Sequence, residues 1–460
     1  MKKFLLIIFV LTFSIFSCAV SFAANTPVYD ATFNNNAGGF FANGTPITIT
    51  EGGTPDTIIV SWNNGSNTEE IPSSSYIFGG GTGGSSYDSS SVTLESGTAA
   101  YIYGGGFSTD SNNIAVVGTS NVIINGGNVV NTLYGGGLLY TTVISSNVTV
   151  NEGTVNAVLG GGGASATVDG VSYSTGTEEN PENSQTRVNT ANLTMNGGII
   201  TTSAWGGGQG YSYTGSTDVV INGGDLSNAY LTAGGSNGYT GNATVTINGG
   251  TINVYQSTNR GTVESVDTTV NGGTINEFFV GGEDASDVTG TLGNGNIDIL
   301  NGNIGTLSSG TSGALPLDFS SNEYNVVVVP NVVDNSTIPE ENTTTVTYTL
   351  DIIDNEISLK VGTTKQINYV ITTEPSGYES LFNTDNIVWE SDNTNIVTVD
   401  ENGVITGVSE GTANVTATLF NSADTTSVTV TDTSILTTIL WILLWGLIIF
   451  ILALAIIRSA

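Results

Sequence analysis

A short phrase, Asn-Gly-Gly, returns along this chain at a nearly even spacing and restricts the fold more than any other feature. It closes Val122-Ile123-Ile124-Asn125-Gly126-Gly127 and Leu193-Thr194-Met195-Asn196-Gly197-Gly198, and it recurs at Asn222, Asn248 and Asn271. Weaker copies centre on Glu95, Asn151 and Asn301, and Thr48-Ile49-Thr50-Glu51-Gly52-Gly53 reads as a ninth. The commonest interval is 26 residues, and one longer interval carries a polar insertion near Ser172 to Gln185. Such a unit is too small to bury its own apolar face and must stack on its neighbours. Short strands and glycine turns at this period therefore predict a β-solenoid.

The roles of the residues follow from strand geometry. Val245 and Ile247 are two apart and share one face of a strand, as do Val148 with Val150, Leu193 with Met195, and Val219 with Ile221. These point into the coil, and Thr149, Thr194 and Thr246 point out. The glycines after each Asn supply the positive φ of a sharp corner. Stacked coils bring Asn125, Asn196, Asn222, Asn248 and Asn271 above one another, where their amides form a structural ladder. Eight or nine coils at about 4.8 Å each give a rod about 40 Å long. Tyr103, Tyr134 and Trp205 each precede a glycine run, with Leu159 in the same place in another copy. Two readings stay open for these aromatics: a stacked ladder filling a corner of the coil, or a surface strip that binds sugar rings.

Composition removes several functional classes. The chain has 40 acidic residues, 7 basic ones and no His, for a net charge of −33. Nucleic acid and anionic membrane surfaces are repelled by such a chain. The one Cys, Cys18, lies near the N-terminus, so no disulfide framework forms. Without His, Ser-His-Asp and Cys-His catalysis are excluded, and zinc and haem lose their usual ligands.

The two ends carry targeting signals. Met1-Lys2-Lys3 leads into an apolar run from Phe4 to Val20 and then Ser21-Phe22-Ala23, the pattern of a secretory signal peptide cleaved after Ala23. From Ile439 to Ile457 the chain holds no charge, and Arg458 follows. Nineteen residues at about 1.5 Å each span about 28 Å, close to a hydrocarbon core of about 30 Å. Trp441 and Trp445 suit the outer interface and Arg458 the cytoplasmic side.

Glycine runs stop near Thr347, and short strand-like segments follow. Among them are Leu359-Lys360-Val361-Gly362, Ile387-Val388-Trp389-Glu390-Ser391-Asp392, Ile396-Val397-Thr398-Val399-Asp400, Gly403-Val404-Ile405-Thr406-Gly407-Val408 and Gly411-Thr412-Ala413-Asn414-Val415-Thr416. In order and spacing, Asp351 to Thr431 resembles the bacterial immunoglobulin-like domain, group 2. That resemblance implies a small β-sandwich with Trp389 in its core, serving as a stalk or spacer in a surface protein. The Asn-Gly-Gly repeats look like those of adhesin-like surface proteins of bacteria and methanogenic archaea. This second resemblance implies a right-handed parallel β-helix.

The expected fold is therefore all-β. A signal peptide (1–23) precedes a right-handed parallel β-helix, or β-solenoid (24–342). An immunoglobulin-like β-sandwich (343–433) and a transmembrane helix with a short cytoplasmic tail (434–460) follow. The expected function is a cell-surface adhesin-like protein, anchored in its own membrane and binding glycans or surface proteins of other cells. No enzyme activity, nucleic-acid partner or cofactor is expected. Two alternatives stand beside it: a structural coat or spacer, and an extracellular polysaccharide lyase or hydrolase. A hydrolase needs two carboxylates about 5–10 Å apart, for which Asp218 with Asp225, or Glu264 with Asp267, are the candidate pairs. Glu283, Asp284 and Asp287 form the densest acidic cluster in a coil and offer oxygen ligands to Ca²⁺, although their spacing matches no EF-hand; solvated surface acids are the plain alternative.

Overall fold

The computed structural model describes residues 26–177, 180–282, 292–309, 324–338, 343–432 and 434–459. The expected signal peptide, residues 1–23, lies outside the described residues.

Each repeat contributes two strands, one on either side of its Asn-Gly-Gly corner. The strand before the corner joins a 13-stranded sheet and the strand after it joins a 12-stranded sheet. Thus Ala115–Ile124 enters the first sheet, Asn125-Gly126-Gly127 turns the chain, and Asn128–Tyr134 enters the second. Within these two sheets, neighbouring strands from Ser86–Leu94 to Thr343–Thr345 pair in parallel, each with the equivalent strand of the next repeat.

The register explains why the apolar pairs recur. Val92, Val122, Val148, Leu193, Val219 and Val245 lie opposite one another in turn. All are at most 1 % exposed. From the other sheet, Ile77, Ile102, Leu133, Val158, Ala204 and Leu231 belong to the same core. Each such aliphatic side chain, fully buried, contributes about 1.5–3 kcal/mol. Gly127 shows why the corner takes glycine. Its φ is +73°, and a Cβ there would come 2.5 Å from the carbonyl oxygen of Gly97 in the preceding repeat.

The copy at Thr48 to Gly53 is only half a repeat. Ile47–Glu51 pairs in parallel with Val92-Thr93-Leu94, but its other edge is taken by Thr57–Trp62 in an antiparallel hairpin. Asn67–Pro72 then pairs antiparallel outside that. The end of the stack is thus closed by a hairpin with Glu69, Glu70 and Pro72 on its outermost strand, a composition that discourages further strand addition.

At the other end, Thr343–Thr345 pairs with Tyr324–Val328 and so belongs to the 13-stranded sheet. After buried Val346, the first strand of the sandwich sheets is Thr347–Ile352. The strands of the sandwich run from Thr347–Ile352 to Ser422–Thr431 in sheets of two, four and three strands. Trp389 is only half-buried: it lies over Gly403 and against the edge of Tyr369, 5.7 Å between ring centroids.

Ser434–Ser459 forms one α-helix. Its described side chains run from Ile439 to Leu454 and are exposed on every side. Among the described residues, no helix is long and apolar enough to cross a membrane.

Candidate functional site

Along Thr98–Tyr103, Ile102 points into the core between the two sheets, so Tyr101 and Tyr103 point away from it. The parallel register stacks these outward residues. One column runs Phe41, Phe78, Tyr103 and Tyr134, with centroid spacings of 4.9, 4.9 and 4.7 Å. Beside it Tyr76 stacks on Tyr101 at 4.5 Å. Stacked rings contribute about 0.5–1.5 kcal/mol per pair beyond their burial.

These columns form a second apolar cluster with Phe33, Leu138, Leu139 and Val168. Tyr103 and Tyr134 are 3 % and 6 % exposed. They are stacked and buried in a cluster of their own, apart from the core between the two sheets, and do not form an open strip. Burial pushes both phenols well above the usual tyrosine range, and Tyr76 upward as well. All three remain protonated near neutral pH. Trp205 packs half-buried against the same cluster, and its indole nitrogen has no hydrogen-bond partner among the described residues.

The cover comes from the insertion of the long repeat interval. Ser165–Val168 and Val171–Ser174 form an antiparallel hairpin around Asp169-Gly170. Both turn residues have positive φ, 49° and 79°. That matches the two-residue hairpin turn for which Asp-Gly is a strong sequence signal; the turn lies just before the polar insertion read at Ser172 to Gln185. The hairpin tip is fastened to the N-terminal turn, about 134 residues away in sequence. The Asn35 backbone N–H donates to Asp169 Oδ1 at 2.6 Å, and the Asp169 N–H donates to Asn34 Oδ1 at 3.2 Å. Asn34 Nδ2 in turn donates to the Tyr76 hydroxyl at 2.8 Å.

Beside this clasp, bordered by Asn34 and the first hairpin strand, lies a cleft of about 370 Å³. The register places Thr132, not another ring, next to Tyr101 on the side away from Tyr76. The ring column therefore stops at Tyr101. Tyr101, Thr132, Tyr134, Gln209 and the hairpin residues Ser165 to Val168 are among its lining. Tyr134 donates to Gln209 Oε1 at 2.5 Å. No acidic or basic side chain is among the lining residues.

The asparagines do form a ladder. Asn125 donates to Glu95, Asn151 to Asn125, Asn196 to Asn151, Asn222 to Asn196, Asn248 to Asn222 and Asn271 to Asn248, at 2.8–3.0 Å. A second ladder four residues earlier in the repeat, Asn121–Asn147–Asn192, has rungs of 2.9 and 2.8 Å. Its signal was the Asn shared by all three copies four positions before the corner residue.

Other candidates separate. Glu283, Asp284 and Asp287 lie outside the described residues. Among the described residues, no group of three or more His, Cys, Asp and Glu could hold a metal ion. Asp218 and Asp225 sit on strands of different sheets. A further ring pair, Tyr213 and Tyr239, stacks at 5.2 Å, with the Arg187 guanidinium 3.6 Å over Tyr213. Both faces of Tyr213 are thereby covered.

Residues 341–430 match the bacterial Ig-like domain (group 2). No curated protein matches the chain.

Proposed function

We propose that this is an exported, adhesin-like surface protein whose parallel sheets form a right-handed β-helix that binds glycans. The cleft beside Tyr101 carries this reading. It combines a ring whose column stops, phenol and amide groups that both give and take hydrogen bonds, and a polypeptide wall, the usual elements of a small-molecule site. The immunoglobulin-like module follows as a spacer, and the uncharged sequence from Ile439 to Ile457 is the proposed anchor in the protein's own membrane. Surface proteins of other cells are partners insofar as they carry the glycan.

A polysaccharide hydrolase would need two carboxylates at the bound sugar. The charge-free lining favours binding over cleavage. The test is size-exclusion of the full chain in detergent micelles after incubation with a panel of oligosaccharides and polysaccharides. Co-elution of an intact glycan supports the reading. Shortened glycan would replace it with an enzyme, and unchanged profiles throughout would favour a coat or spacer.

A further inference from the structure

We infer that the cleft beside Tyr101 takes the uncharged end of a saccharide chain, one or two sugar residues long, and not the middle of a polymer. The inference rests on the glycan-binding reading and narrows it through three independent observations.

The first is charge. The lining contains no Lys, Arg, Asp or Glu. A uronic acid or sulfated sugar would lose its hydration there without gaining a cationic partner, a cost that an uncharged sugar avoids. The net charge of −33 also repels polyanions before they reach the site.

The second is the match of polar groups. Beside the Tyr134–Gln209 bond, the lining carries the Tyr101 phenol, the Thr132 and Ser165 hydroxyls and the Gln209 side-chain NH2, a set with both donors and acceptors. Sugar hydroxyls need such mixed partners, because each both gives and takes a hydrogen bond. The apolar face of a pyranose ring has Tyr101 to rest on, because Thr132 is too small to cover that ring.

The third is shape. A volume of about 370 Å³ lies at the low end of ligand sites, which run from about 300 to 1,000 Å³. The first strand of the hairpin, Ser165–Val168, walls the cleft together with Asn34, and the hairpin is fastened at Asp169 to Asn34 and Asn35. A cleft of this volume, walled on that side, suits the end of a chain better than the middle of a polymer.

Saturation-transfer NMR on the full chain in micelles tests this with three probes of one glycan type. These are a neutral linear trisaccharide, its uronate counterpart and a cyclic oligosaccharide without ends. The Thr132→Tyr protein, which fills the space beside Tyr101, is the control for the site. The expected result is transfer strongest to a terminal residue of the neutral trisaccharide. Binding of the uronate should be at least tenfold weaker, the cyclic probe should not compete, and all signal should disappear in Thr132→Tyr. Equal or tighter uronate binding, or full competition by the cyclic probe, would overturn this inference and leave glycan binding standing. Saccharide binding that survives Thr132→Tyr would also overturn it, by locating the sugar elsewhere. Absence of binding by any saccharide would overturn both.

Discussion

Asn222 donates its side-chain amide to Asn196 at 2.8 Å and accepts the amide of Asn248 at 2.8 Å. Each amide serves as donor on one side and acceptor on the other, so the ladder has a direction, and a carboxylate in place of one amide breaks it on one side only. Asn222→Asp still accepts from Asn248 but presents oxygen to Asn196 Oδ1. The expected cost at pH 7 is about 1 kcal/mol, because the rungs are exposed. Protonation of the new carboxyl restores a donor, so the deficit should shrink below about pH 4. Thermal unfolding of the two proteins across pH checks both statements; a deficit that stays constant with pH would show that the rung does not act through its proton.

Asp298 gives a second pH dependence with the opposite origin. Burial, and then the charge of Asp267, push its carboxyl up to about 6. The folded state therefore holds this proton more tightly than the unfolded chain, whose value is about 3.8. Stability from this group is greatest at low pH and is lost as pH rises from about 4 through about 6. Asp298→Asn removes that loss. It should stabilise the protein at pH 7.5 by on the order of 1 kcal/mol, with solvent screening allowed for, and leave stability near pH 4 unchanged. Urea titrations at the two pH values measure the difference.

The clasp at the hairpin tip predicts local opening without global unfolding. Asp169→Ala removes the acceptor of the Asn35 N–H. Loss of one such charge-assisted bond is worth about 1.5–3 kcal/mol locally. Amide hydrogen exchange in residues 165–174 should accelerate roughly tenfold or more. The parallel sheets should exchange as before, since the hairpin packs outside their core. Unchanged exchange in the hairpin would mean that the packing of its Val168 in the cluster with Leu138 suffices without the clasp.

Much of this architecture was legible from local pattern. Val245 and Ile247 betray a buried strand face because strand alternation needs only neighbours in sequence, and the Asn before each Gly-Gly marks the corner because the turn demands it. The candidate site was not legible in the same way. Tyr103 and Tyr134 stood out as aromatics, but their burial depends on Phe33 and Val168, far apart in the chain. The site also depends on Thr132, an unremarkable residue whose significance is its small size next to Tyr101. Only the register between Thr98–Tyr103 and Asn128–Tyr134 reveals it. The Asp169-Gly170 turn was readable locally, but its contact with Asn34 and Asn35 was not.

The central claim is that a sugar rests against Tyr101 where its column of rings stops. The measurement that tests it most directly is calorimetric titration of the co-eluting glycan into wild type and Thr132→Tyr. The new ring continues the column Tyr76–Tyr101 and occupies the cleft, so thermal stability should be equal or slightly higher. Glycan affinity should fall at least a hundredfold while stability holds. Undiminished affinity in a stable Thr132→Tyr protein would contradict the account.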